Sequence, residues 1–188
     1  MSFPYGQLRN GQTEFLKQAL VSLTSKEALF VEAPTGTGKT ISTLYPAIKG
    51  LLRKNYSKIF YLTAKTATRT VAHKAINDMR QKGLIIRSIL LESKEKICPY
   101  NKKCDAKFCK LAKGYYLRLK PALDEILLHD DITPDLVKRV ASKYELCPHE
   151  FSLDTLNYCN VVIGDYNHAF DPRVSLIRCF KDGEETKN

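Results

Sequence analysis

Apolar residues recur at three- and four-residue spacing in several stretches of the chain, which predicts amphipathic helices. Such patterns cover residues 7–24 and 39–53, with a kink expected at Pro46, and a further helix is predicted to end near Arg80. Short unbroken apolar runs at 28–31 and 59–62 are typical of parallel strands that are buried on both faces, and a third strand is predicted at 84–91, with Arg87 near a register break. Alternating helices and strands predict an α/β fold with a mostly parallel, doubly wound sheet over residues 1–92.

This alternation stops at residue 93 and returns only with the apolar run at 160–163. The intervening stretch shows helical faces instead, and Thr133 followed by Pro134 is typical of the beginning of a helix. We therefore expect three segments: an α/β part over 1–92, a mainly helical insertion over 93–150, and a return to the α/β part over 151–188.

Composition adds a preference for an acidic partner. The 188 residues carry a formal net charge of +10, and 44% of them are hydrophobic, which is enough for a packed core. Between Lys94 and Lys120 there are nine basic and two acidic residues, interleaved with four aromatic side chains. Basic residues neutralise phosphates and aromatic rings stack on bases, so this stretch favours nucleic acid over a merely solvated face. The sequence shows neither a signal peptide nor a membrane-spanning run, and we expect a cytoplasmic protein without a membrane partner.

The clearest chemical motif is the stretch Ala-Pro-Thr-Gly-Thr-Gly-Lys-Thr at 33–40, between an apolar run and a helical pattern. In this context backbone N–H groups and the beginning of the helix hold the phosphates of a nucleotide. Lys39 reaches the β- and γ-phosphates, and the hydroxyl of Thr40 can ligate Mg²⁺, so these two are the candidate catalytic residues. The predicted residues of the loop that bind ATP are Pro34, Thr35, Gly36, Thr37, Gly38, Lys39 and Thr40.

Four cysteines in the insertion form the second constellation: Cys98, Cys104, Cys109 and Cys147. The first three are separated by five and four residues, and a helix out and a helix back would return the fourth to them. Four thiolates suit either a 4Fe-4S cluster or zinc. Zinc sites usually show closely paired cysteines, which are absent here, so the spacing fits an iron–sulfur cluster better. We interpret Cys159 and Cys179 as ordinary buried residues.

Together, these motifs resemble the XPD-like, DinG-type iron–sulfur helicases of superfamily 2. Residues 32–40 are similar to motif I of that family, 61–66 to motif Ia, and 161–172 to the segment just before motif II. The four cysteines, the last followed by proline, match the family's cluster ligands in order. The resemblance implies a RecA-like P-loop motor domain with an inserted iron–sulfur domain, which uses ATP and Mg²⁺ to unwind DNA in the 5′ to 3′ direction.

The resemblance also implies roles for residues outside the loop. Arg9 and Gln12 match the motif that binds adenine, since an amide offers both a donor and an acceptor to the base. Contacts with single-stranded or forked DNA are expected from motif Ia and the arginine that follows it. These residues are Thr63, Lys65, Thr66 and Arg69.

One part of the family pattern is absent from the sequence. The Asp-Glu-Ala-His box should follow soon after Phe180, and the residues up to Asn188 contain none. We therefore expect the N-terminal part of a helicase, which is inactive without its second motor domain. Two alternatives stay open: a zinc-containing DNA-binding module with a degenerate phosphate loop, or a small complete NTPase in which Asp165 binds magnesium.

Overall fold

The computed structural model describes residues 2–100 and 108–170 of the chain. The helices are α1 Gln12–Ser25, α2 Lys39–Leu52, α3 Thr66–Arg80, α4 Lys94–Ile97, α5 Tyr115–Ile126, α6 Pro134–Lys143, α7 Pro148–Thr155 and α8 Asn167–Phe170. The strands are β1 Ile59–Thr63, β2 Ser88–Leu90, β3 Asp131–Ile132 and β4 Val161–Asp165, and a 3-10 turn covers Leu156–Tyr158. None of the described helices is long and apolar enough to cross a membrane.

The strands form one sheet in the order β1-β4-β2-β3, and every pair of neighbours is parallel. This confirms the predicted α/β fold with a parallel sheet. Strand β4 lies between β1 and β2, although it follows β2 by about seventy residues and β1 by nearly a hundred in sequence. Its register places Thr63 opposite Asp165, so both lie at the carboxyl edge of the sheet. Ligands of open α/β sheets bind beyond this edge.

Both faces of the sheet are covered, which accounts for the unbroken apolar sequence of β4. Val161 and Ile163 point to a core that α2 and α3 complete, where Leu44 and Ile76 are fully buried. Val162 points to the opposite core, which the insertion supplies through α5, α6 and α7 and where Phe151 is fully buried. The insertion therefore shares a core with the sheet, and α7 runs across the predicted boundary at residue 150.

The prediction of a strand at 28–31, before the phosphate loop, is wrong for the described structure. Residues 28–31 have no regular secondary structure, and all four are exposed; the exposed fraction of Phe30 is 94%. An apolar run predicts a buried strand only where neighbouring strands can pair with it. In the described sheet β1 pairs with β4, and no described strand pairs with this run.

Other elements are shorter than predicted or are shifted. Helix α1 begins at Gln12 rather than near residue 7, and within 84–91 only Ser88–Leu90 pairs as a strand. The helical pattern over 39–53 predicts a buried Leu52, but in α2 Leu52 is exposed and Leu51 is buried instead. The stretch 93–150, predicted to be mainly helical, also supplies β3 at the edge of the sheet. Two residues are too few to show alternation, so sequence periodicity does not detect such a strand.

Candidate functional site

The backbone of the phosphate loop is left-handed at two glycines, Gly36 (φ +86°) and Gly38 (φ +81°). An L-residue with a side chain adopts such angles only at a cost, so glycine is the residue that this turn requires. Gly38 also caps the beginning of α2, and its left-handed angle joins the loop to the helix. The first free N–H groups of α2 therefore face the loop, where the positive end of the helix dipole favours an anion.

Lys39, the first residue of α2, lies across this loop. Its Nζ donates hydrogen bonds to the carbonyl oxygens of Ala33 (2.6 Å) and Pro34 (2.8 Å), and the hydroxyl of Thr37 donates to the same Pro34 oxygen (2.9 Å). The ammonium group is therefore held over the mouth of the loop. Because the side chain is exposed, phosphate oxygens can replace the two carbonyl oxygens as its acceptors.

The predicted adenine-side residues lie against the same loop. Gln12 is 3% exposed, and its Oε1 accepts a hydrogen bond from the backbone N–H of Arg9 (2.9 Å). The guanidinium of Arg9 donates to the carbonyl oxygen of Gly36. A Cβ atom at Gly38 would lie 2.6 Å from Nε2 of Gln12. The structure thus places Arg9 and Gln12 against the loop, although about twenty-five residues separate them from it in sequence.

These groups surround one cavity of about 620 Å³. Its lining residues are Tyr5, Gln7, Arg9, Gln12, Thr35, Gly36, Gly38, Lys39, Thr40, Ile41, Ala67, Thr68, Val71 and Ala75. The residues from α3 were not predicted for this site. Their spacing does place them on one face of α3, and that signal was available in the sequence.

Tyr5 also lines the cavity, and the sequence analysis did not predict this. Its hydroxyl donates a hydrogen bond to Asp78 on α3 (2.8 Å), and its ring meets that of Phe3 edge to face. Burial and the hydrogen bond to Asp78 raise the pKa of Tyr5 to about 12, so the phenol stays protonated and keeps this bond. The N-terminal segment is thereby fixed beside α3, with one aromatic side chain against the cavity.

The residues of motif Ia lie where β1 passes into α3. The hydroxyl of Thr63 donates to the backbone carbonyl of Lys65 (3.0 Å), which caps α3 and is exposed. Thr66 follows as the first residue of α3 and is also exposed. Lys65 and Thr66 therefore present a cation and a hydroxyl beside the positive end of a helix of 15 residues.

Arg69 is placed differently from this group. The residue is 5% exposed, and its guanidinium donates to the carbonyl oxygen of Leu91 (2.8 Å) and to a carboxylate oxygen of Glu92 (3.3 Å). Its remaining Nη contact is with the hydroxyl of Thr66 (3.1 Å). Every described hydrogen bond of this guanidinium goes to Leu91, Glu92 or Thr66, and the expected direct contact with DNA stays a prediction.

Of the four predicted metal ligands, the structure describes three. Cys104 lies outside the described residues, and Cys109 is partly exposed. Cys147 caps α7, and its thiol is close enough to that of Cys98 to interact with it electrostatically. Burial raises the pKa of Cys147, an effect that the N–H groups of Glu150 and His149 partly oppose.

Among the described residues, no three His, Cys, Asp or Glu side chains converge as a metal-binding group. Cys159 is 2% exposed, and burial raises its pKa to about 12, as expected for an ordinary buried thiol. Asp165, the residue of the alternative magnesium site, accepts a hydrogen bond from the N–H of Asn167 (2.9 Å) and does not line the cavity.

Comparison with known families agrees with this geometry. The family described as "DEAD/DEAH box helicase" matches residues 9–106, that is, 98 of the 188 residues, from Arg9 through motif I and motif Ia. The chain belongs to the DEAD/DEAH box helicase family. Within this helicase family, the XPD proteins are similar both in sequence and in structure, in line with the resemblance read from the motifs.

The curated relatives share modest identity with this chain. The XPD helicase subunit of general transcription and DNA repair factor IIH from Dictyostelium discoideum is 24% identical over 93% of the chain. A probable ATP-dependent helicase of Methanocaldococcus jannaschii is 27% identical over 54% of it. The matched regions cover 26% and 17% of these relatives, so the chain spans about a quarter of the length of the first and less of the second.

Two solved structures support the fold. An XPD helicase aligns with a TM-score of 0.60 and 19% identity, over 90% of this chain and 30% of that one. A truncated XPD aligns with a TM-score of 0.57 and 20% identity, over 88% of this chain and 47% of that one. The chain therefore shares the α/β architecture of XPD, and at this identity the likeness concerns the fold alone.

Proposed function

We propose that the chain is the ATP-binding part of an XPD-like, ATP-dependent DNA helicase. It binds ATP–Mg²⁺ at the phosphate loop and single-stranded or forked DNA beside motif Ia, and it holds a 4Fe-4S cluster in the insertion. The observation that carries the proposal is the single cavity that joins the phosphate loop to Arg9, Gln12 and Tyr5. A polyphosphate and a base occupy opposite ends of a nucleotide, and this cavity offers suitable groups at both ends.

Within this proposal, each wall of the cavity has one task. The left-handed loop and Lys39 hold the β- and γ-phosphates, and Thr40 supplies an oxygen for Mg²⁺. The hydroxyl of Tyr61 lies 3.4 Å from Oγ1 of Thr40 and fixes that side chain from β1. Gln12 and Arg9 hold the adenine end, and the small side chains of α3 leave room for the sugar.

Hydrolysis requires groups that the described cavity does not offer. None of its lining residues is a carboxylate, so the described part of the chain provides no general base there. In related NTPases a base or water-positioning residue and an arginine from another element supply much of the rate. We propose that another part of the complete helicase, including a second motor domain, supplies them, and that the chain alone binds ATP with little turnover.

The DNA site follows from the carboxyl edge of the sheet. Lys65 and Thr66 are exposed there, beside the positive end of α3, and both groups can bond phosphate oxygens. The insertion adds exposed aromatic side chains, Phe108 and Tyr116, within its basic stretch. We assign the 5′ to 3′ direction on the family resemblance.

The proposed cluster rests on the donor set. Cys98 follows the end of α4 and Cys147 precedes the beginning of α7, and these two helices contact each other. Thiolates are the ligands that iron–sulfur clusters prefer. The N–H groups of residues 149 and 150 favour a thiolate at Cys147. Cys98, Cys104, Cys109 and Cys147 would hold the cluster, whose bonds would tie the two ends of the insertion together.

The nucleotide proposal is tested with a fluorescent ATP analogue and two matched lysine substitutions. Lys39→Ala removes the ammonium over the loop and should weaken binding by at least tenfold, since a charged hydrogen bond is lost. Lys17→Ala removes the same charge from the exposed face of α1 and should leave binding unchanged. Equal affinities of the two variants would refute a nucleotide site at this loop.

The cluster is tested by anaerobic purification followed by iron, sulfide and zinc analysis. Cys147→Ser should lose bound iron, whereas Cys159→Ser, a substitution of the same chemistry at a buried cysteine away from the set, should retain it. Zinc without iron or sulfide would support the alternative of a zinc-containing DNA-binding module.

A further inference from the structure

Arg69 is a buried cation whose bonds connect two functional segments. Its Nη1 donates to the carbonyl oxygen of Leu91 (2.8 Å), and both Nη atoms lie 3.3 Å from Oε1 of Glu92. The side chains of this ion pair are only 6% and 19% exposed, so solvent screens it weakly. Its remaining bond goes to the hydroxyl of Thr66, one helical turn earlier on α3.

The bond to Thr66 determines what that hydroxyl can do next. Oγ1 of Thr66 accepts from Nη2 of Arg69 (3.1 Å), so one of its lone pairs is occupied. Its own proton has no acceptor among residues 2–100 and 108–170, and the side chain is exposed. A hydroxyl that accepts from a cation is also a stronger donor, because the bonds polarise each other. The hydroxyl of Thr66 can therefore donate a hydrogen bond to a group outside the chain.

Glu92 holds the guanidinium of Arg69 in the position from which it bonds Thr66. Its Oε1 also accepts from the N–H of Ser93 (3.1 Å) and lies 3.7 Å from Nζ of Lys96 on α4. Glu92 is the last residue before the insertion, so the chain that enters the insertion holds the carboxylate. Through Glu92 and Arg69, the base of the insertion thus fixes the orientation of the Thr66 hydroxyl.

We propose that Arg69 is a positioning residue, held by Glu92, that orients the hydroxyl of Thr66 to donate to a backbone phosphate of single-stranded DNA. The proposal rests on the DNA site proposed above. Arg69 itself does not touch the phosphate; it acts through Thr66, while Lys65 provides the direct positive charge.

The salt dependence of DNA binding separates positioning from direct contact. Each phosphate neutralised on a single strand contributes about 0.7 to the slope of log Kobs against log salt concentration. Affinity for a fluorescent oligothymidylate is measured by anisotropy at several salt concentrations. Lys65→Ala should reduce the slope by about 0.7, whereas Thr66→Ala and Arg69→Gln should weaken binding about tenfold, the loss of one charge-assisted bond, with the slope unchanged.

A double-mutant cycle tests whether Arg69 acts through Thr66. If it does, Arg69→Gln combined with Thr66→Ala should bind no more weakly than Thr66→Ala alone. Arg80→Gln is the matched control, since Arg80 also lies on α3, pairs with a carboxylate, Asp131 (3.4 Å), and is about 20 Å from Thr66 by helix rise. It should reduce stability but leave DNA affinity unchanged.

Nucleotide binding at the phosphate loop reports whether each variant has folded. If Arg69→Gln does not fold, Glu92→Gln is measured instead and should weaken DNA binding severalfold with the slope unchanged. A slope reduced by about 0.7 in Arg69→Gln would show a direct phosphate contact and overturn the inference. The inference would also be overturned if Arg69→Gln bound DNA with normal affinity while Thr66→Ala bound it more weakly. If Lys65→Ala and Thr66→Ala both bind DNA normally, the DNA site and the inference fail together.

Discussion

Substituting alanine at Gly38 tests how the phosphate loop and the adenine-side residues are held together. The matched variant is Gly36→Ala, because both glycines are left-handed, with φ of +81° and +86°. A Cβ at Gly36 meets nothing within 4 Å, whereas a Cβ at Gly38 lies 2.6 Å from Nε2 of Gln12. Gly36→Ala therefore adds only backbone strain, whereas Gly38→Ala adds backbone strain and a steric overlap with Gln12.

The magnitudes follow from these two terms. A left-handed conformation costs an L-residue roughly 1–2 kcal/mol, and we expect this loss of stability in Gly36→Ala. Gly38→Ala must also displace the buried amide of Gln12, which breaks its hydrogen bond with the N–H of Arg9 (2.9 Å). A hydrogen bond of this kind contributes about 1 kcal/mol, so Gly38→Ala should lose roughly 2–3 kcal/mol.

Urea unfolding followed by far-ultraviolet circular dichroism is the suitable assay, since the chain contains no tryptophan. Adding Gln12→Ala removes the obstructing amide, so Gly38→Ala should cost about 1 kcal/mol less in that background than in the wild type. The binding of ATP should weaken in Gly38→Ala as Gln12 moves. Equal losses of stability in the two glycine variants, with no coupling to Gln12, would refute this account of the loop.

Three further predictions concern stability and reactivity. Thr133→Ala should destabilise the chain by about 1 kcal/mol, because the Thr133 side chain caps α6, whereas Thr133→Ser should retain most of this; urea unfolding measures both. Burial acts to raise the pKa of Asp131, but the hydrogen bonds of His73 and Asn77 and the charges of His73 and Arg80 together outweigh it, so the pKa lies below its ordinary value. Asp131→Asn should therefore be less stable than the wild type at pH 7, and the gap should close as the pH falls through that lowered pKa. In metal-free protein at pH 8, iodoacetamide should modify Cys98 before Cys159, whose buried thiol has a pKa of about 12; mass spectrometry of digests gives the order, and faster labelling of Cys159 would contradict its burial.

The sequence was most informative where local chemistry dictates structure. The motif at 33–40 predicted a glycine-containing loop that opens onto a helix, and the structure has both, with left-handed angles at Gly36 and Gly38. The cap at Thr133 was predicted for the same reason, because its side chain bonds an N–H only three residues away. Unbroken apolar runs correctly predicted β1 and β4, since strands covered on both faces need apolar residues throughout.

Predictions failed where the outcome depends on residues far away in sequence. The apolar run at 28–31 is an unpaired, exposed segment, because pairing is a property of neighbouring strands rather than of the run itself. Strand β3 exists only because β2 offers its edge to two residues of the insertion.

By itself, the sequence determined the phosphate loop, the alternation of helices and strands, and the order of motifs that places the chain among helicases. Only the tertiary structure decided which of the predicted site residues meet. It brought Tyr5 and a face of α3 to the cavity beside the phosphate loop, and it turned Arg69 inward to Glu92. The physical reason is that a turn or cap depends on neighbouring residues, whereas burial of a charge or closure of a cavity depends on how distant elements pack.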